Sequence, residues 1–182
     1  MVQFLLLIGC NPDLKPVKIF LSSIVLIVLL AFCGCEKLSD NTEVEAYIDQ
    51  LISGQSESFE LPAFTSSDIP ALLRYRNETT IITEFPRNPI SSFWQHECKL
   101  GMYVLWTIES IRAVEINSEY LIGRFPSQNP VLALRDAPEL QMVFTDESHS
   151  EAAKAYLKWW NSFTFGDKMK IDPLKDTKYR WH

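Results

Sequence analysis

The stretch Glu97–Ile116, ECKLGMYVLWTIESIRAVEI, constrains the fold more than any other part of the chain. Between Leu100 and Ile108 only Gly101 and Thr107 are not clearly apolar. A helix built from it is greasy on every side, and such a helix has to run through the middle of a domain. Its later turns carry Glu109, Arg112 and Glu115 three apart, a single polar stripe expected to mark the solvent side. Everything else in the domain must serve to cover this helix.

Three further segments have the periodicity for that task. Asp40 or Asn41 can cap a helix in which Val44, Tyr47, Ile48, Leu51 and Ile52 share a face, and Gly54 stops it, which predicts a helix over Thr42–Ser53. Ser66, Ser67 and Asp68 open a second, short helix that accepts Pro70 in its first turn. A last helix is expected from Ser148, where Ser148-His149-Ser150-Glu151 fits a capping box. Ala152, Tyr156, Trp159 and Phe163 form its apolar stripe, Lys154 and Lys158 its far side, and Gly166 its end. The β-branched run NETTIITEFPRNP is broken by Pro86 and Pro89, and the tail DPLKDTKYRWH is expected to dock Tyr179 and Trp181 on the body.

Two of the connecting segments repeat. NETTIITEFPRNPI from Asn77 and NSEYLIGRFPSQNPV from Asn117 align at a spacing of 40, sharing the leading Asn, Ile82 with Ile122, Phe85-Pro86 with Phe125-Pro126, and a following Asn-Pro. A period near 40 resembles the units of α-solenoids, which run about 40 to 47 residues. The expected fold is therefore all-α: one compact helical domain over 42–182 with a HEAT-like two-unit helix-loop repeat and minor or no β structure.

The N-terminal part has a different character. From Ile19 to Cys33 there is no charge, Lys15 and Lys18 stand just ahead, and small Gly34 follows. A basic flank, an apolar centre and a small exit residue are the layout of an export signal. A membrane-spanning helix needs about 20 apolar residues, and this run falls short. Phe32-Cys33-Gly34-Cys35 resembles the lipobox of bacterial lipoproteins. That resemblance implies cleavage before Cys35, residues 1–34 as signal peptide, and Cys35 as a diacylglycerol-bearing first residue on a short tether over 35–41. Several acyl chains, each contributing about 0.8 kcal/mol per buried CH₂, give stable attachment to a membrane. The string Leu7-Ile8-Gly9-Cys10 has no basic residue ahead of it, and translation is expected to start near Val17.

Loss of Lys15, Lys18 and Asp13 with the signal changes 17 basic against 23 acidic residues to 15 against 22, a net of −7. An acidic chain has no electrostatic reason to seek nucleic acid. Of the four cysteines only Cys35 and Cys98 remain, and the first is consumed by lipid.

No constellation closes a reaction centre. His96-Glu97 opens a zinc-protease motif, but the second histidine belongs four residues on, where Leu100 stands. Cys98 with His149 is the one nucleophile-base pairing to consider, and packing as a small hydrophobe is the simpler role for that thiol. Six glycines leave no phosphate loop, and neither a metal nor a cofactor is expected. The aromatic residues are the remaining handle. Trp106 and Trp159 belong to apolar stripes and read as core, whereas Trp94, Trp160 and Trp181 sit at element edges, where with Phe85 and Phe125 they could meet a ligand or partner.

The mature region, above all DIPALLRYRNETTIITEFPRNPISSFWQHECKLGMYVLWTIESIRA, resembles an uncharacterised family of short lipoproteins from Bacteroides-type gut bacteria. The resemblance implies an envelope location, at the outer membrane, and carries over no site residue. The expected function is a non-enzymatic, lipid-anchored protein-interaction module with a protein partner in the envelope. The alternative is a glycan-binding accessory that uses the edge tryptophans.

Overall fold

The computed structural model describes residues 41–55, 59–119, 121–137, 141–162 and 168–182. Cys35, the signal, the tether up to residue 40, and Phe163 and Gly166 at the expected end of the last helix lie outside these residues. Four α-helices and five short strands are found among the described residues.

Helix α1, Thr42–Ser53, begins where the Asn41 side chain accepts from the Glu43 and Val44 amides (3.2 and 3.3 Å). It ends at Gly54, whose φ of +67° is the left-handed conformation that favours glycine. Val44, Tyr47, Ile48 and Leu51 are buried. Helix α2, Ile69–Leu72, is a single α turn between the 3₁₀ turns Ser66–Asp68 and Leu73–Tyr75, with Pro70 in its first turn. Asp68 accepts from the Thr65 amide (2.8 Å) and from the Asn41 side chain (2.6 Å), which ties the starts of α1 and α2 together.

The central helix α3, Leu100–Glu115, is buried continuously from Leu100 to Ile111, Thr107, Glu109 and Ser110 included. It begins three residues later than its composition predicts, because Cys98–Lys99 form strand β2 and pair antiparallel with β1, Ile81–Ile82. The first amides of α3 then need no side-chain cap. The Leu100 amide donates to the Thr80 carbonyl (2.8 Å) and the Gly101 amide to the Glu78 carbonyl (2.9 Å).

The polar stripe on α3 meets solvent only at its end, where Glu115 is exposed. Glu109 is buried, its carboxylate bonded to Arg112 (Nε to both oxygens, 3.0 Å) and accepting from the Tyr156 hydroxyl (2.9 Å). Arg112 donates onward to the Met169 carbonyl (2.9 Å). A buried carboxylate survives folding only when paired in this way.

Helix α4, Asp146–Ser162, begins two residues before the predicted cap. Thr145 plays that part, its hydroxyl accepting from the Ser148 amide (3.1 Å). Ala152, Tyr156 and Trp159 are buried as expected. Strands β3 (Leu132–Leu134), β4 (Met142–Val143) and β5 (Tyr179–Trp181) form an antiparallel sheet in the order β4-β3-β5. The C-terminal tail therefore docks its rings, as expected, but as a strand.

The all-α expectation is overturned: the fold is mixed α/β, with two small antiparallel sheets packed about a helical core. Each strand has two or three residues, too few for an alternating pattern to register in sequence. Pairing partners far along the chain hold them in place. Nor do the two Phe-Pro copies stack as solenoid units. Both converge on α3, where Phe85, Tyr103, Trp106 and Phe125 form one column of rings with centroids 5.0, 5.7 and 5.5 Å apart. The first loop accepts from the Tyr103 hydroxyl at the Pro86 carbonyl (2.9 Å), and the second from Trp106 Nε1 at the Ser127 hydroxyl (2.8 Å). The buried Asn88 side chain donates to the Ser127 carbonyl (2.9 Å), and Asn129 bonds the Ser91 hydroxyl, so the two loops also clasp each other.

Candidate binding cleft

The loop between β1 and β2 is organised by one side chain. The Arg87 guanidinium donates to the Thr83, Phe85 and Gln95 carbonyls (2.7, 3.2 and 3.0 Å). It also lies over the rings of Phe85 (4.1 Å) and Trp94 (4.6 Å). Phe85 is thereby pinned inside and Trp94 outside, with 63% of its surface exposed.

Beside Trp94 lies a cleft of about 370 Å³, between this loop, β2, the exit of β4 and the first turn of α4. Its wall is mainly apolar, with Met102, Pro130 and Val131 contributed from the body. Four of its lining residues, Ile81, Phe93, Trp94 and Phe144, are large hydrophobic side chains exposed to solvent. A second hollow of about 470 Å³ shares Phe93 and Trp94 and reaches the exposed Phe59.

Cys98 and His149 line the same cleft, yet no hydrogen bond among the described residues joins them. The Cys98 sulfur approaches the Lys99 and Pro130 carbonyls (3.4 and 3.7 Å), and burial pushes its thiol up to about 12. It is therefore held as a neutral thiol. His149 Nε2 is 2.8 Å from the Arg76 carbonyl, so it carries the proton and donates. Burial holds the ring below its ordinary range, and Lys99 adds to the depression. Position 101 must be glycine for this ring to sit there, since a Cβ would fall 2.5 Å from His149 Nε2 and 2.6 Å from the Arg76 oxygen. Lys99 and Asp146 form an ion pair at the rim. No group of three or more His, Cys, Asp or Glu among the described residues is placed to hold a metal ion, and no helix among them is long and apolar enough to cross a membrane.

Of the aromatic residues singled out in the sequence as ligand or partner contacts, only Trp94 lies at the cleft. Phe85 and Phe125 are core, 5% and 2% exposed. Trp160 is half-buried beneath the Lys168 ammonium (3.9 Å) and against Trp159. Trp181, in β5, donates to the Tyr156 hydroxyl (2.8 Å) and stands edge-on to that ring. Ile81, Phe93 and Phe144 were not singled out. Their only signal is an apolar residue amid polar ones in segments too short to show a face, as in SSFWQH around Phe93.

No curated protein and no solved structure matches the chain. One family model does match, over residues 38–182, and it is described as a domain of unknown function, DUF4943. The chain belongs to that family.

Proposed function

We propose that the chain is a lipid-anchored envelope protein, attached to the outer membrane through Cys35, that binds an apolar part of a protein partner in the cleft beside Trp94 and performs no chemistry of its own. The observation that carries this reading is the gathering of Ile81, Phe93, Trp94 and Phe144 about one apolar cleft. Single exposed hydrophobic residues need no explanation, whereas a cluster rimming a hollow marks a binding surface. A buried apolar side chain of a partner would contribute about 1.5 to 3 kcal/mol there, and tryptophan is the residue type on which such interfaces most often depend. The neutral Cys98 thiol and the commitment of His149 Nε2 to a carbonyl support a binding role over a catalytic one. The lipobox string before Glu36 supports the anchor.

The exposure of Trp94 is the one observation that favours a sugar ligand. The polar side chains beside its ring are already engaged: Arg87 with three carbonyls, Asn88 with the Ser127 carbonyl, and Asn129 with the Ser91 hydroxyl. Few donors remain for sugar hydroxyls. A glycan panel run with the native chain and with Trp94→Ala separates the two readings. No glycan is expected to be retained, and a glycan whose binding vanishes in the variant would move the function to carbohydrate recognition.

A further inference from the structure

The two sheets present open main-chain edges to this cleft, which bears on how an occupant is held once the cleft is read as a binding site. In the β1/β2 ladder Ile81 faces Lys99 and Ile82 faces Cys98, and the neighbouring Leu100 amide donates to the Thr80 carbonyl. Antiparallel ladders alternate bonded and non-bonded pairs. Lys99 therefore turns its N–H and C=O away from β1; as the N-cap of α3 its carbonyl serves the first turn of the helix and also meets the Cys98 sulfur (3.4 Å), which leaves the N–H as the open group.

The other sheet repeats the situation. The Leu134 amide donates to the Gln141 carbonyl (3.0 Å), and the register pairs Ala133 with Met142 and Leu132 with Val143. The same alternation directs the main-chain groups of Met142, and of Phe144 just beyond it, away from β3. Strand β4 has no neighbour on that side. Lys99 and Phe144 both line the cleft, and neither amide donates a hydrogen bond among the described residues.

Two further features describe what fits between these edges. Gln95 is buried in the cleft wall, with Nε2 donating to the Glu97 carbonyl (3.1 Å) and Oε1 without a partner. Buried acceptors are nearly always paired; this one has no accessible surface, so an incoming N–H would reach it once the wall shifts. The charged groups of the lining are Glu97 and Lys99, the latter already matched by Asp146, so Glu97 is the remaining charge in a mainly apolar wall, which suits an apolar guest.

We propose that the cleft takes an extended, uncharged, apolar segment of a partner polypeptide, which adds as a strand along the open edges of β2 and β4 and seats alternate side chains among Trp94, Phe93 and Phe144. Unpaired strand edges are templates for such addition.

The test begins with random peptides displayed on phage and selected on the full-length chain in nanodiscs. The best binders are resynthesised with and without N-methylation of alternate amides, and hydrogen exchange is read by mass spectrometry over residues 97–100 and 141–145. Unmethylated peptides are expected to slow exchange in both segments about tenfold, and their methylated twins to fail. Phe144→Ala, which loses the ring, should weaken binding. Phe144→Pro, which also loses the amide, should weaken it about tenfold more, proline being tolerated where an edge N–H faces outward. Equal protection by methylated peptides would overturn strand addition and leave the cleft as a binding site. Protection by palmitate alone would overturn it in favour of an acyl-chain site, and protection by self-association in favour of a second copy of the chain. If no selected peptide slows exchange in either segment, the binding reading falls along with the strand mode.

Discussion

Gly101 and His149 show how tightly single residues are set around the cleft. Because a Cβ at position 101 would press on both the imidazole and the Arg76 carbonyl, Gly101→Ala forces either α3 or the ring to move. Overpacking of this kind costs about 1 to 3 kcal/mol, measurable as a lower urea midpoint. His149 adds a pH dependence whose sign follows from its burial. Its folded pKa is lowered, so the proton binds more readily to the unfolded chain. Stability is full above the ordinary histidine value of 6.5 and falls as the pH drops below it. The groups facing it are the Arg76 carbonyl, Lys99 and Asp146; His182, likewise lowered by burial, adds to the slope. Urea midpoints measured from pH 7.5 to 5.5 should decline for the native chain and decline less for His149→Gln. An unchanged slope in the variant would assign the effect elsewhere.

At the scale of elements, the helices were legible in sequence and the sheets were not, for a physical reason. Asn41, Gly54 and the apolar spacing of α1 act locally, so each leaves its signal beside the turn it makes. Strand β2 owes its conformation to Thr80 and Ile82 across a loop, and β5 to a partner nearly fifty residues earlier. Glu109 misled for a related reason: its spacing suits a surface stripe, and its burial rests on Arg112 together with Tyr156, which arrives from α4. The Phe-Pro repetition was visible, but its meaning required the ring column on α3. Phe125→Ala removes one end of that column and should cost about 3 to 5 kcal/mol by chemical denaturation. Phe85→Ala should behave alike, and because both rings pack on the Tyr103–Trp106 pair, the double variant should depart from the sum of the two.

For the molecule as a whole, the proposed function joins a lipid anchor at Cys35 to recognition at the cleft beside Trp94. Cys35 was named from the lipobox pattern, and Cys35→Ser is expected to abolish incorporation of radiolabelled palmitate and to release the chain from the membrane fraction. Labelling that persists in the variant would point to another attachment. At the cleft, Trp94 was legible as an edge tryptophan, while Phe93, Ile81 and Phe144 became a surface only once folding brought three separate segments together. On the proposed function this surface meets a protein. The most direct measurement of that replaces Trp94 with a photoreactive benzoylphenylalanine in cells, with a control at the exposed Lys154 on the far side of α4. Irradiation should yield one discrete protein adduct from position 94 and none from position 154. Identical patterns from the two positions, or no adduct at position 94, would contradict the claim.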